Sequence, residues 1–371
     1  MELSFDRENM TEVLQRIVGA AEKRLTMPII GNVRIRASAD GENGDRIRLD
    51  TTDLELAWTA TTPGEISAEL DCTVSARKLL DVVRAAPPEA RVVARLEGER
   101  LTVGFGSSRF SLATLPGADF PELESAEIEE SIDIPQRLLR RLIETTMFSM
   151  AQQDVRYYLQ GLLLVADGSR LRTVATDGHR LAVNEGVLEE AVNGAHECIL
   201  PRKTVQELRR NLLDDETPVQ VGFAQGQISF GLGDARLTSK IIDGRFPDYE
   251  RVIPKEHPGL LIVEREELRQ ALGRVAIVAS DKFRGVRLLA GPEGCRVMTH
   301  NTEHEEAEEA FEAQYQGEPI EIGFNLTYLM EVLGAIGADH VRFEVRNEDT
   351  SSLIMSEPRD HARYVVMPMR L

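Results

Sequence analysis

The sequence predicts an α+β chain of three repeated domains, each carrying two helices packed on antiparallel sheet. Three observations predict it: an alternating stretch followed by a helical pattern recurs twice at a spacing of 129 residues, a Thr-Asp pair recurs at 124, and an Arg-led pair recurs twice at 127. Self-similarity at a fixed, domain-sized period is the signature of duplicated units.

The first element is Leu3-Ser4-Phe5, which alternates as a strand does, running into Met10, Val13, Leu14 and Ile17 at the three-and-four spacing of an amphipathic helix. The same succession returns as Ile132-Asp133-Ile134 with Leu139, Leu142 and Ile143, and again as Leu261-Ile262-Val263 with Leu268, Ala271, Leu272 and Val275. Next come Thr52-Asp53, Thr176-Asp177 and, at the third position, His300-Asn301. Arg77-Lys78 opens a second helical run over Leu79, Leu80 and Val83, and Arg202-Lys203 opens its counterpart over Val205, Leu208 and Leu212. The third copy, Leu326 to Ile336, lacks the basic pair. Arg109-Phe110, Arg236-Leu237 and Arg363-Tyr364 close the copies. Each copy thus reads twice as strand, helix and several strands, a pseudo-two-fold within the domain. Phe120-Pro121 and Phe246-Pro247 precede Glu-rich Glu122 to Glu130 and Pro254 to Gly259, which are read as linkers. The expected domains are residues 1–125, 130–252 and 258–371.

At 371 residues, 42% hydrophobic and 28% charged, the chain has the composition of folded globular domains. It has no apolar run long enough for a bilayer, and its start, Met1 to Asp6, lacks the regions of a signal peptide, so a cytoplasmic protein is expected. Cys72, Cys198 and Cys295 are odd in number and far apart, and are read as small buried hydrophobes. A net charge of −19 requires that any contact with nucleic acid come from a local basic surface.

Longer motifs carry a resemblance. The segments Phe148 to Leu159 (FSMAQQDVRYYL), Arg172 to Val183 (RTVATDGHRLAV), Asp243 to Tyr249 (DGRFPDY), Lys282 to Leu288 (KFRGVRL) and Tyr364 to Leu371 (YVVMPMRL) resemble the bacterial DNA polymerase III beta subunit family of sliding clamps. The resemblance covers essentially the whole chain. It implies a processivity factor without catalytic activity or cofactor: a head-to-tail homodimer of three-domain subunits that encircles duplex DNA, with helices lining the hole. Basic residues on the helical segments fit such a lining, namely Lys23, Arg77, Lys78, Arg137, Arg141, Arg202 and Lys203, and the family match adds Arg24 and Gln153 as DNA contacts.

The resemblance also implies a pocket for short extended peptides built from Leu159, Thr176, Gly178, His179, Arg180, Leu181, Pro247, Arg251, Val252, Ser352, Val365, Val366, Met367, Pro368, Met369 and Arg370. Its implied users are the DNA polymerase III alpha subunit, the clamp-loader complex, other DNA polymerases, mismatch-repair proteins and DNA ligase. Pro368 has no amide to donate, so the tail is expected along a groove and not in a fully paired central strand. At the implied subunit interface, Phe110 and Leu112 would meet Ile277 and Val278, with Arg109 near Glu303, Glu305 and Glu306.

Two motifs suggest enzymes instead. His300-Asn301-Thr302-Glu303-His304 matches a zinc-protease pattern, which requires a helix, whereas the repeat places these residues at a strand end and turn. Asp177-Gly178-His179 could be an Asp-oriented base, but no nucleophile or phosphate-loop motif accompanies it. A repeat protein with no DNA role is the remaining alternative; it predicts no peptide pocket.

Overall fold

The computed structural model describes residues 1–22, 26–38, 45–124, 126–255, 257–279 and 284–370. Among these, each repeat holds two helices: α1 (Arg7–Ile17) and α2 (Ala76–Arg84), α3 (Gln136–Glu144) and α4 (Arg202–Asn211), α5 (Arg265–Val275) and α6 (Leu326–Ala335). A strand leads directly into each helix, and in α1, α5 and α6 the residue at the junction caps the open helix end. Asp6 accepts from the amides of Glu8 and Asn9 at 2.8 and 3.0 Å, Glu264 does the same for Glu266 and Glu267, and Asn325 for Thr327 and Tyr328. Pro135 and Pro201 stand immediately before α3 and α4, where a missing N–H costs nothing. The duplication is visible in the hydrogen bonds: the amides of Arg7, Gln136 and Arg265, spaced as the sequence repeat is, donate to Ala90, Thr217 and Asp339 carbonyls at 3.1, 3.0 and 2.7 Å.

The chain forms two compact units, Met1–Arg137 with Gln206–Ile241 and Leu138–Val205 with Ile242–Leu371, so the central repeat contributes to both. In the first unit a 13-stranded sheet runs through both repeats, because Ala235–Lys240, the last strand of the second repeat, pairs with Leu56–Pro63 of the first. Trp58 on that strand is fully buried, and its indole N–H donates to Glu207 of α4 at 3.0 Å. Arg210 donates to the same carboxylate oxygen at 2.6 Å and to the Arg16 carbonyl at the end of α1 at 2.8 Å. Gly19 is required here, since a Cβ would sit 2.1 Å from Glu207 Oε1.

The second unit repeats the device. Arg363–Val366, the last strand of the third repeat, pairs with Arg180–Val187 of the second and makes a nine-stranded sheet; a four-stranded sheet ends at Glu306–Phe311. Side-chain alternation splits the interior in two. Tyr364 and Val366 join the cluster with α5 and α6, whereas Val365, Leu181 and Leu353 join the cluster beneath Phe246 and Leu159.

Two sequence expectations change. The Glu-rich linker is shorter than Glu122 to Glu130, because the strand Ile128–Pro135 starts inside it; this is an edge strand, and its solvent side tolerates glutamates. Glu122 itself is tied down, accepting from Arg34 and Arg36 at 2.5 and 3.2 Å. The tail also differs: Arg363–Val366 is a strand paired on both sides, and Val366 is fully buried. Only beyond Val366 does the chain leave the sheet, as Pro368 demands.

Candidate functional site: an apolar pocket, basic helices and two open strand edges

The Thr-Asp positions of the first two repeats fold as the same turn, and His300-Asn301 begins a related turn one residue longer. Asp53 Oδ1 accepts from the amides of Glu55 and Leu56, Asp177 Oδ1 from those of His179 and Arg180, and Asn301 Oδ1 from those of Glu303 and Glu305, at 2.8–3.0 Å. Asp177 Oδ2 accepts from Arg180 Nε at 3.1 Å, so this carboxylate is engaged by the turn and by Arg180. His300 ends a strand and His304 sits in the following turn with a φ of 63°, not on a helix. Neither enzyme motif has the geometry its chemistry needs.

In the second unit this turn forms one wall of a cavity of ≈ 220 Å³, lined by Arg156, Leu159, Thr176, Gly178, His179, Arg180, Leu181, Pro247, Asp248, Tyr249, Val252, Ser351, Val365 and Met367. Its floor is formed by Leu159, Leu181 and Val365, which share one apolar cluster with Leu353. Thr176 Oγ1 donates to the Arg180 carbonyl at 2.6 Å and accepts from the Gly178 amide at 3.1 Å, which leaves apolar surface towards the opening. Gly178 has a φ of 89°, open to glycine at no steric cost, and a Cβ there would come 3.0 Å from the Arg156 guanidinium.

Ten of the expected pocket residues border this cavity; Arg251, Ser352, Val366, Pro368, Met369 and Arg370 do not. Sheet alternation explains two of these, because Ser352 pairs with Val366 and both face the other core. Arg251 is exposed and pairs with Asp248 at 2.7 Å. Met369 donates its amide to the Gly323 carbonyl at 2.7 Å, and Arg370 is exposed near Asp349. Arg180 borders the cavity, yet its guanidinium is turned away: it donates to the Phe148 carbonyl at 2.6 Å, pairs with Glu331 and Asp177, and lies 4.2 Å from the centre of the Tyr328 ring. Sequence reasoning missed Arg156, Asp248, Tyr249 and Ser351. The first three lie inside the quoted motifs and could have been included on that ground; Ser351 carries no signal.

The expected basic residues have unequal surroundings. Lys23 and Arg24 lie outside the described residues. Arg77 and Lys78 are exposed on α2, and a groove of ≈ 670 Å³ along α1 and α2 carries Arg16, Arg77, Arg84 and Arg210 against Glu12 and Asp81. Arg137 pairs with Asp214 and Glu216 at 3.3 and 2.9 Å, and Arg141 is exposed. Lys203 is half-buried. Arg202 is also half-buried and donates to the Met150 and Ala151 carbonyls at 2.9 and 3.0 Å; burial, with Arg180 nearby, holds its pKa below the usual guanidinium value. Those two bonds give Arg202 a structural task. Gln153 is exposed on a loop at a φ of 53°, followed by Asp154, whose carboxyl the Arg156 guanidinium holds down at about 2.

Of the expected interface residues, Ile277 is 83% exposed just after α5, and Val278 is half-buried. Phe110 and Leu112 are half-buried on the strand Ser108–Pro116, with Phe110 stacked on Phe105 at 5.7 Å between ring centres, and Arg109 is exposed. Glu303, Glu305 and Glu306 are exposed around the start of the strand Glu306–Phe311.

Comparison with known proteins agrees with this architecture. The N-terminal, central and C-terminal domains of the DNA polymerase III beta subunit match residues 1–124, 133–248 and 250–370. This chain belongs to that family. It is a sliding clamp of three clamp domains, a non-catalytic processivity subunit of DNA replication. The beta sliding clamp of Salmonella typhimurium is 44% identical and that of Pseudomonas aeruginosa 41%, each covering 100% of both chains. A crystal structure of the Pseudomonas aeruginosa clamp bound to griselimycin superposes with a TM-score of 0.94 at 40% identity, again over 100% of both chains. Among the described residues no helix is long and apolar enough to cross a membrane.

Proposed function

We propose that two copies of this clamp close head to tail into a ring around duplex DNA. The observation that carries this reading is a pair of open strand edges. Within the chain, the last strand of each later repeat pairs with a strand of the repeat before it: Ala235–Lys240 with Leu56–Pro63, and Arg363–Val366 with Arg180–Val187. Among the described residues two strands of the same kinds are left over. Ser108–Pro116, the last strand of the first repeat, pairs on that side only through Thr114–Pro116, and Glu306–Phe311 ends its sheet. One copy's Ser108–Pro116 fits the Glu306–Phe311 of another by the rule that joins the internal repeats, and a heterologous contact of this kind closes when the rotation does. Transferring the internal register, with the His300–Glu306 pair answering to Thr52–Ala57 and Thr176–Leu181, sets Phe110 opposite Ala307 and Arg109 opposite Glu308, opposite charges that fix orientation.

The domains of this reading are residues 1–125, 130–252 and 258–371. Arg77, Lys78 and Arg141, with Lys23, Arg24 and Gln153, supply sequence-independent phosphate contacts in the hole, and Arg137 and Lys203 contribute more weakly. The ≈ 220 Å³ cavity takes apolar side chains of extended peptides and is the site for griselimycin. Its natural users are the DNA polymerase III alpha subunit, the clamp loader, other DNA polymerases, mismatch-repair proteins and DNA ligase, all in the cytoplasm. Phe110→Asp places a carboxylate opposite Ala307, flanked by Glu306 and Glu308, and shifts the protein to monomer in sedimentation experiments; a variant that stays dimeric at wild-type concentrations refutes the edge pairing.

A further inference from the structure

One wall of the pocket belongs to no sheet. Pro247, Asp248, Tyr249 and Val252 lie on the connection between the strands Ala235–Lys240 and Gly259–Glu264, and such a segment holds a shape only as well as its anchors do. Phe246 is buried, and Tyr249 and Ile253 rest on the apolar floor. The polar anchor comes from elsewhere. Arg172 Nη1 donates to the Tyr249 hydroxyl at 2.8 Å and reaches Glu250 at 3.4 Å. Arg172 stands in the middle of Arg170–Thr176, a strand paired on both sides, and its register partner is Glu185. Glu185 Oε2 accepts from its Nε and Nη2 at 3.0 and 2.8 Å, which fixes the plane of the guanidinium. Arg172 does not border the cavity.

We propose that Arg172 is a positioning residue of the peptide pocket: held by Glu185, it fixes the Tyr249 ring, and through it the Pro247–Val252 wall, at the width that admits an apolar side chain. The inference rests on the pocket reading above. Burial lowers the Arg172 pKa and its bonds to Tyr249 and Glu185 more than restore it, so the cation is present across the working pH range. A wall ordered in advance spares the ligand the entropy of ordering it, so losing the anchor weakens binding without removing any ligand contact.

The test is a double-mutant cycle on the affinity of the full-length protein for griselimycin, with Tyr249→Phe, Arg172→Met and the pair, and Met367→Asp as the pocket control. Tyr249→Phe deletes one oxygen from a half-buried ring, so its effect is readable even where Arg172→Met is unstable. The expected result is about tenfold weaker binding for either single variant, as for loss of a hydrogen bond to a charged group. The double variant is expected to be no weaker than either single one, because both break the same link. Merely structural damage at two places would multiply, to about a hundredfold, and that outcome overturns the proposal. Wild-type affinity in both single variants, with binding lost in Met367→Asp, overturns it and leaves the pocket standing. Wild-type affinity in Met367→Asp removes the pocket reading and the proposal with it.

Discussion

Replacing Glu207 by alanine tests how the first two repeats are held together. Glu207 is 6% exposed and accepts from the buried Trp58 indole at 3.0 Å and from Arg210 at 2.6 Å. The variant leaves the indole N–H buried without this partner, at about 1–3 kcal/mol. Arg210 is 42% exposed on its side chain, so water replaces most of its lost bond and that part costs about 1 kcal/mol or less. The gap beside Gly19 adds roughly 1 kcal/mol, and release of a buried carboxylate returns some of it. The net is about 3 kcal/mol, a rise of roughly a hundredfold in the opened population. Trp58 is the chain's single tryptophan and lies in the first unit, so urea unfolding followed by its fluorescence reports this region alone. Glu207→Gln, which keeps an acceptor of the same size, should cost about 1 kcal/mol. A Glu207→Ala midpoint equal to wild type would refute the network's role.

Two further predictions concern titration and reactivity. Asp154 is held down at about 2 by Arg156, a depressed carboxylate whose pairing is complete above the ordinary 3.8 and is lost as pH falls through about 2; carboxyl NMR should show that midpoint, and Arg156→Ala should move it up towards 3.8. Burial pushes the Cys72 and Cys198 thiols up to about 12, so at pH 8 a disulfide reagent should modify them only at the rate of unfolding, and rapid labelling of the native protein would contradict their burial.

The repeat made most of the fold legible. Leu3, Met10, Leu14 and Ile17 are buried, as are Leu139, Leu142 and Ile143 and then Leu268, Leu272 and Val275, because one amphipathic helix packed on sheet imposes the same spacing each time. The Thr-Asp positions were legible for a local reason, since a single side-chain oxygen organises each turn. The pocket was less so. Val365 and Val366 are adjacent and equally apolar, yet only the first borders the cavity, and which face each takes depends on register against Leu181 and Leu353, partners more than ten residues away or in another repeat. Tyr249 and Arg172 are 77 residues apart, and nothing in the spacing of either announces their hydrogen bond. Charge was the weakest guide: Arg202 and Arg77 look alike in sequence, but one is engaged with buried carbonyls and the other is exposed.

The most direct test of the central claim, a clamp that holds DNA by encircling it, is retention on nicked circular DNA before and after linearisation, with a matching clamp loader and ATP. Retention on the circle and loss from the cut ends is the predicted result. Equal retention on both forms would mean adsorption to the duplex surface and would contradict it.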